Sequence, residues 1–135
     1  GNLSIRLKTV GDLMVKGRKL PVVVENMKMK NALKIINDKK LGVLIIRKKN
    51  RDTCGIITDG DLRRITQKFN NLDELEIKKV MKKNPLSVNK DTLAASALSI
   101  MNTKKITSLC VHENKKKKRT IGLIHVHDIL RSNIN

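Results

Sequence analysis

Apolar positions along the chain change their spacing in a fixed order, and that order occurs twice. In "LPVVVEN", residues 20–26, they form a short run with a proline near its start, as suits a strand at a sheet edge or entry. Met29, Ala32, Leu33 and Ile36 then follow the i, i+3, i+4, i+7 spacing of an amphipathic helix. "GVLIIR" and "CGIIT" are apolar runs separated by the polar turn "KKNRDT", which predicts a hairpin. "DGDLRRITQKF" closes the series as a helix, with Asp59 the expected N-cap. The same succession returns in "PLSVN", a helix around Leu93 to Met101, "ITSLCV", the basic turn "ENKKKK", "TIGLIH" and a short helix from about His127.

Displacing the sequence on itself by about 65 residues brings the two series into register. Val10 to Met14 falls on Ile77 to Met81, and Pro21 on Pro85. Ala32, Leu33 and Ile36 meet Ala97, Leu98 and Met101, and Gly55 to Asp61 meets Gly122 to Asp128. The prediction is an α+β chain of two β-α-β-β-α motifs, residues 8–69 and 77–135, joined by a linker at 70–76. Each motif carries a three-stranded sheet with too few apolar residues to cover both faces alone. The two motifs are therefore expected to pack with pseudo-twofold symmetry into one globule.

The corner where a strand meets a helix is repeated most faithfully, as "GIITDGDLRR" at 55–64 and within "IGLIHVHDILRS" at 121–132. Free backbone N–H groups at a helix start favour an anion, and the Thr58 hydroxyl can donate to a phosphate oxygen. The Asp61 carboxylate only accepts, which matches the two donors of a ribose diol. Hydroxyl and acid three residues apart thus suit a ribose phosphate. An alternative reading needs no ligand: Asp59 caps the helix, Asp61 complements its dipole, and Thr58 is a β-branched strand residue. In the second copy His125 stands where the first has Thr58, followed by Asp128. An imidazole can also donate to phosphate but titrates near neutrality. His125 and His127 lie two apart with only His112 as a third imidazole, so no metal site is expected.

Composition narrows the function classes. Phe69 is the sole aromatic residue, so the core is branched aliphatic with Met and Ala. The net charge of +18 invites a nucleic-acid reading. However, the 22 lysines and 8 arginines are spread over helices, linker and turns, and no aromatic stacking platform accompanies them. They read as solvated surface with salt-sensitive affinity for polyanions, and no specific nucleic-acid partner is expected. Cys54 and Cys110 sit in apolar runs without ligand spacing and read as reduced core residues. No targeting motif or apolar span of membrane length occurs, so a cytoplasmic protein without a membrane partner is expected. The chain opens at Gly1 rather than Met, which fits an excised C-terminal piece of a longer protein.

A tandem of β-α-β-β-α units ending in Gly-apolar-apolar-Thr-x-x-Asp resembles a cystathionine-β-synthase (CBS) domain pair, or Bateman module. "TDGDLRR" together with "HVHDILR" is similar, more narrowly, to the C-terminal CBS pair of bacterial arabinose-5-phosphate isomerases, in which a sugar-isomerase (SIS) domain precedes the pair. That resemblance implies a regulatory part without isomerase chemistry of its own. The parent reaction would interconvert ribulose 5-phosphate and arabinose 5-phosphate on the way to Kdo, a sugar of lipopolysaccharide. It implies nucleotide contacts from Thr58 and Asp61, with backbone around Val22, Val43 and Leu44 lining the base side. The second-copy counterparts would be His125, Asp128, Leu86, Ser108 and Leu109. AMP, CMP or CMP-Kdo are the implied ligands, no cofactor is required, and a homodimer with the SIS domain as partner is expected. The rival readings are a ligand-free structural dimerisation module and a basic nucleic-acid-binding domain.

Overall fold

Short β-branched runs flanked by polar turns form the strands, and the longer amphipathic segments form the helices. The computed structural model describes residues 7–39 and 41–132. The last residues of the expected second motif, 133–135, and Lys40 of the first therefore lie outside the described residues. Residues group into two compact units, Pro21–Pro85 on one hand and Gly1–Leu20 with Leu86–Asn135 on the other.

In the unit of residues 21–85, β1 (Val22–Val24) runs parallel to β2 (Val43–Arg47), and α2 (Met29–Lys39) makes the crossover that parallel neighbours require. The hairpin then brings β3 (Thr53–Thr58) antiparallel to β2, and α3 (Asp59–Lys68) leaves from its end. Met29, Ala32 and Ile36 of α2 and Ile65 of α3 are buried against Val23, Leu44, Ile46, Ile57 and Ile77. The expected three-stranded sheet gains a fourth strand here, β4 (Lys82–Lys83), antiparallel to β3. The segment at 70–76 is more than a connection. Leu75 and Asp73 carbonyls accept the Met29 and Lys30 N–H groups at the start of α2. Glu74 meets Lys28 at 2.6 Å and Lys30 at 3.0 Å, and these two ammonium groups hold its carboxyl down at about 2.

The other unit repeats the plan with β5 (Ser87–Asn89) parallel to β6 (Ser108–His112), β7 (Gly122–His125) antiparallel to β6, and α4 (Ala94–Lys104) and α5 (Val126–Arg131). Its core is Val10, Val88, Ala94, Ala97, Met101, Leu109, Val111, Ile124 and Ile129. Val10 belongs to α1 (Val10–Leu13), a one-turn helix held by a Thr9–Asp12 capping box. Where the first unit has β4, Val15 forms an isolated bridge to Leu123, with N–H to carbonyl distances of 2.8 and 2.9 Å in the two directions.

Each sheet is thus completed by the short segment that opens the other sequence motif. Residues 10–15 of the first motif pack with the second motif's strands, and residues 77–83 of the second pack with the first motif's strands. A glycine on each sheet records the contact. A Cβ on Gly55 would collide with the Met81 sulphur and meet the Lys82 carbonyl oxygen at 3.0 Å. One on Gly122 would collide with the Met14 sulphur and meet the Val15 oxygen at 3.0 Å.

Candidate functional site

Thr58, not Asp59, is the N-cap of α3. Its backbone is extended while Asp59 is the first helical residue, and the sequence Thr-x-x-Asp forms a reciprocal capping box. The Asp61 N–H donates to Thr58 Oγ1 at 3.1 Å, and the Thr58 N–H donates to Asp61 Oδ2 at 3.0 Å. The Asp59 N–H goes to the Gly42 carbonyl at 3.0 Å, which fixes the helix start against β2. Gly42 has φ +68°, and a Cβ there would press on the Asp59 carboxylate.

Asp61 is also the electrostatic centre of this corner. Only 5% of its side chain is exposed, yet Oδ1 receives Arg64 Nη2 at 2.5 Å and Lys82 Nζ at 3.1 Å. Burial opposes its ionisation, but the Thr58 N–H, Arg64, Lys82 and the Thr58 hydroxyl together hold the carboxyl below its ordinary range. As an acceptor Thr58 Oγ1 is occupied by the Asp61 N–H, while its own hydroxyl proton is left to donate.

At the second corner the helix begins at Val126, one residue before the expected His127, and His125 is the N-cap. The His125 N–H donates to Asp128 Oδ2 at 2.9 Å, and His125 Nδ1 accepts the His127 N–H at 3.0 Å. That bond requires an unprotonated Nδ1 and places the ring proton of the neutral form on Nε2. Burial, the neighbouring His127 and Arg131 lower the His125 pKa against the pull of Asp128. The two imidazoles stack with centroids 4.7 Å apart. Arg131 meets Asp128 Oδ1 at 2.6 Å, as Arg64 meets Asp61, but the position of Lys82 is taken by Val15. Strand pairing fixes that equivalence, since Lys82 lies opposite Ile56 and Val15 opposite Leu123, each one residue after the packed glycine.

The other sequence candidates lie on the strands behind these corners. Val43 pairs with Thr58 and Leu44 with Ile57, and Ser108 pairs with His125 and Leu109 with Ile124. Val43, Leu44 and Leu109 have buried side chains. Val22 is half-buried and sits opposite Ile45. Its counterpart is Ser87, opposite Cys110, rather than Leu86. Leu86 is 47% exposed and instead matches Pro21, since their carbonyls accept the equivalent Cys110 and Ile45 N–H groups. Pro21 therefore does not align with Pro85. Sequence reasoning missed Lys82 and Arg64 as partners of Asp61; Arg64 three residues on was readable as a helix pair.

A sequence profile of the CBS domain matches the chain twice, over residues 10–68 and 77–134. The chain belongs to the CBS-domain family. This CBS pair is 34% identical over 128 residues to arabinose 5-phosphate isomerase KdsD of Salmonella typhimurium, covering 95% of this chain and 38% of that protein. To the uncharacterized protein RP505 of Rickettsia prowazekii it is 32% identical over 138 residues, covering 100% of this chain and 41% of that protein. It thus spans 38 to 41% of the length of these curated relatives. Among solved structures, CBSX2 in complex with AMP superposes with a TM-score of 0.78 at 24% identity, covering 94% of this chain and 96% of that one. The CBS pair of protein MJ0100, in complex with 5′-methylthioadenosine and S-adenosyl-L-methionine, gives 0.80 at 21%, covering 93% and 95%. At these identities the likeness is one of fold.

The remaining candidate chemistry of the CBS pair is quickly placed. Cys110 is buried and Cys54 half-buried, both as free thiols, and burial pushes the Cys110 thiol up to about 11. Among the described residues no cluster of three or more His, Cys, Asp and Glu is placed to hold a metal. None of the helices described is long and apolar enough to cross a membrane. Lys48, Lys49 and Lys115 to Lys118 are exposed at the two hairpin tips.

Proposed function

We propose that this CBS pair is the regulatory, nucleotide-sensing part of a bacterial arabinose-5-phosphate isomerase chain. The observation that carries the reading is the alignment of 95% of the pair with 38% of a protein of that name, which leaves room for a catalytic domain outside this chain. That domain, of SIS type, would interconvert ribulose 5-phosphate and arabinose 5-phosphate in the cytoplasm, and the CBS pair would report a ligand to it, within a homodimer. The AMP of CBSX2 supports a nucleotide as the class of ligand, and the adenosyl ligands of MJ0100, which lack a phosphate, support its nucleoside part. CMP-Kdo, an activated sugar downstream of the isomerase, fits feedback control. The Thr58 hydroxyl proton and the Nε2–H of neutral His125 are the donors offered to a phosphate. Asp61 and Asp128 are the acceptors offered to ribose hydroxyls.

Calorimetric titration of this chain with AMP, ATP, CMP and CMP-Kdo tests the reading. Saturable binding is expected, with a thermal stabilisation of about 2.7 kcal/mol at 100 times the Kd. Binding should also persist at a salt concentration that abolishes simple polyanion attraction. A second reading, a ligand-free structural dimerisation module, is favoured by one observation: both capping boxes are complete without a ligand. Absence of heat and of thermal shift with all four compounds, in a chain that still dimerises, would favour it.

A further inference from the structure

The two corners share their capping box and their i, i+3 arginine, but among the described residues only the first has a second cation on its aspartate. We infer that Lys82 makes the first corner selective for nucleotides carrying a second anionic group beyond the ribose-linked phosphate. This inference rests on the nucleotide-sensing reading above and adds the class of ligand.

The geometry gives Lys82 the means to switch partners. Its Nζ touches Asp61 by one contact of 3.1 Å, and 62% of its side chain is exposed at the sheet edge. An ion pair so exposed is weakly held, and the four-carbon stem lets the ammonium swing without moving the strand. Arg64 is as exposed as Lys82, but it bonds at 2.5 Å from one turn further along the same helix, and that short, local contact lets it stay on Asp61. A carboxylate offers about four acceptor sites. Asp61 fills three of them, with the Thr58 N–H, Arg64 and Lys82. When a second phosphate or a carboxylate draws Lys82 away, an Oδ1 site opens for a ribose hydroxyl as the ammonium gains its new partner. The same movement therefore serves both ends of the ligand.

Asp59 opposes an anion at this corner, and its carboxylate lies on the Gly42 side of the helix start. A ligand with one phosphate meets that repulsion with little reason for Lys82 to leave Asp61. The second corner has Val126 in place of Asp59 and Val15 in place of Lys82, and among the described residues Asp128 receives the His125 N–H and Arg131. It has neither the repulsion nor the displaceable cation, so it does not count negative groups.

Matched pairs of ligands test this on the intact chain. Isothermal titrations compare AMP with ADP, where the second group is a phosphate, and CMP with CMP-Kdo, where it is a carboxylate, at fixed ionic strength. Wild type is expected to prefer one or both second members. Lys82→Val, which copies Val15, should reduce that preference about tenfold, and AMP and CMP affinity should rise rather than fall, because Asp61 Oδ1 is then open to a ribose hydroxyl. Lys82→Gln serves the same purpose with the stem retained if the valine variant is unstable. Val15→Lys should add a preference for the member with the second anionic group at a second site. Inorganic pyrophosphate is the control for plain charge attraction: competition with ADP at equal affinity would overturn the inference. So would nucleotide binding whose ADP to AMP and CMP-Kdo to CMP ratios survive both Lys82 substitutions. If wild type binds none of the four nucleotides, the nucleotide-sensing reading itself fails, and the role of Lys82 falls with it.

Discussion

Two corners built on the same backbone plan carry different chemistry. Both place an aspartate at the third helical position, return its carboxylate to the N-cap N–H, and pair it with an arginine three residues on. Both sit behind a glycine packed under a methionine. These shared features are what the strand-to-helix turn needs to fold. The differences fall at four positions around the aspartate, Thr58 against His125, Asp59 against Val126, Gly60 against His127, and Lys82 against Val15. Thr58 and His125 fill the same capping role with different side chains, and the other three pairs supply no side chain to the capping box. The contrast separates residues that make the corner from residues free to set what it meets.

The largest effects should come from the shared part. Gly55→Ala and Gly122→Ala each force a Cβ against a methionine and a backbone oxygen, and overpacking of this kind costs about 1–3 kcal/mol. Denaturant unfolding should give similar losses for the two. A large loss at one and none at the other would break the equivalence of the units. Next come the aspartates. Asp61→Ala should cost about 1–3 kcal/mol, because it orphans the Thr58 N–H and releases two cations, and Asp128→Ala should cost less. The two losses become equal if Lys82 contributes nothing to Asp61.

Acid unfolding sharpens the same contrast. The folded-state pKa of Asp61 is depressed, so its stabilisation is present above the unfolded value of about 3.9 and is lost as pH falls through the folded value. Asp61→Asn should flatten this lowest part of the acid limb, as read by circular dichroism. The smallest effect concerns His125. Its pKa is lowered on folding, so the unfolded chain takes up the proton first, and stability declines as pH falls from about 6.5 through the folded value. Protonation at Nδ1 would also remove the acceptor for the His127 N–H. His125→Thr, which installs the first corner's cap, should make thermal melts between about pH 8 and 5 less pH-dependent. His112 is buried with a lowered pKa too and remains as background in both proteins. An unchanged difference between the two pH values would remove His125 from the account.

Much of this was legible in the sequence because the periodicities are clean. The apolar spacing of Met29, Ala32 and Ile36 became the buried face of α2, and the hairpin of β2 and β3 followed from its polar turn. Periodicity names an element but not its partner. That is why the residues around Lys82, only two of them in a strand, gave no sign of closing the first sheet, nor Val15 of touching the second. "TDGD" offers several residues able to cap, so the run alone does not separate Asp59 from Thr58. The Thr-x-x-Asp spacing decides for Thr58, because only that pair can bond reciprocally. The three-residue strands β1 and β5 are too short for their pattern to fix register, so matching Pro21 to Pro85 falls one residue short of its true partner Leu86. The Lys82–Asp61 pair spans 21 positions and had no local signal, although the repeat already set Lys82 against Val15.

The central claim is that the repeated corner receives a nucleotide. Amide chemical-shift mapping of the 15N-labelled chain during titration with AMP and CMP-Kdo addresses it most directly. The account predicts saturable shifts centred on 58–61, 125–128, or both, abolished at the first corner by Thr58→Val. Shifts confined to the lysine-rich hairpin tips at 48–51 and 115–119, or no shifts at ligand concentrations far above cellular levels, would contradict it.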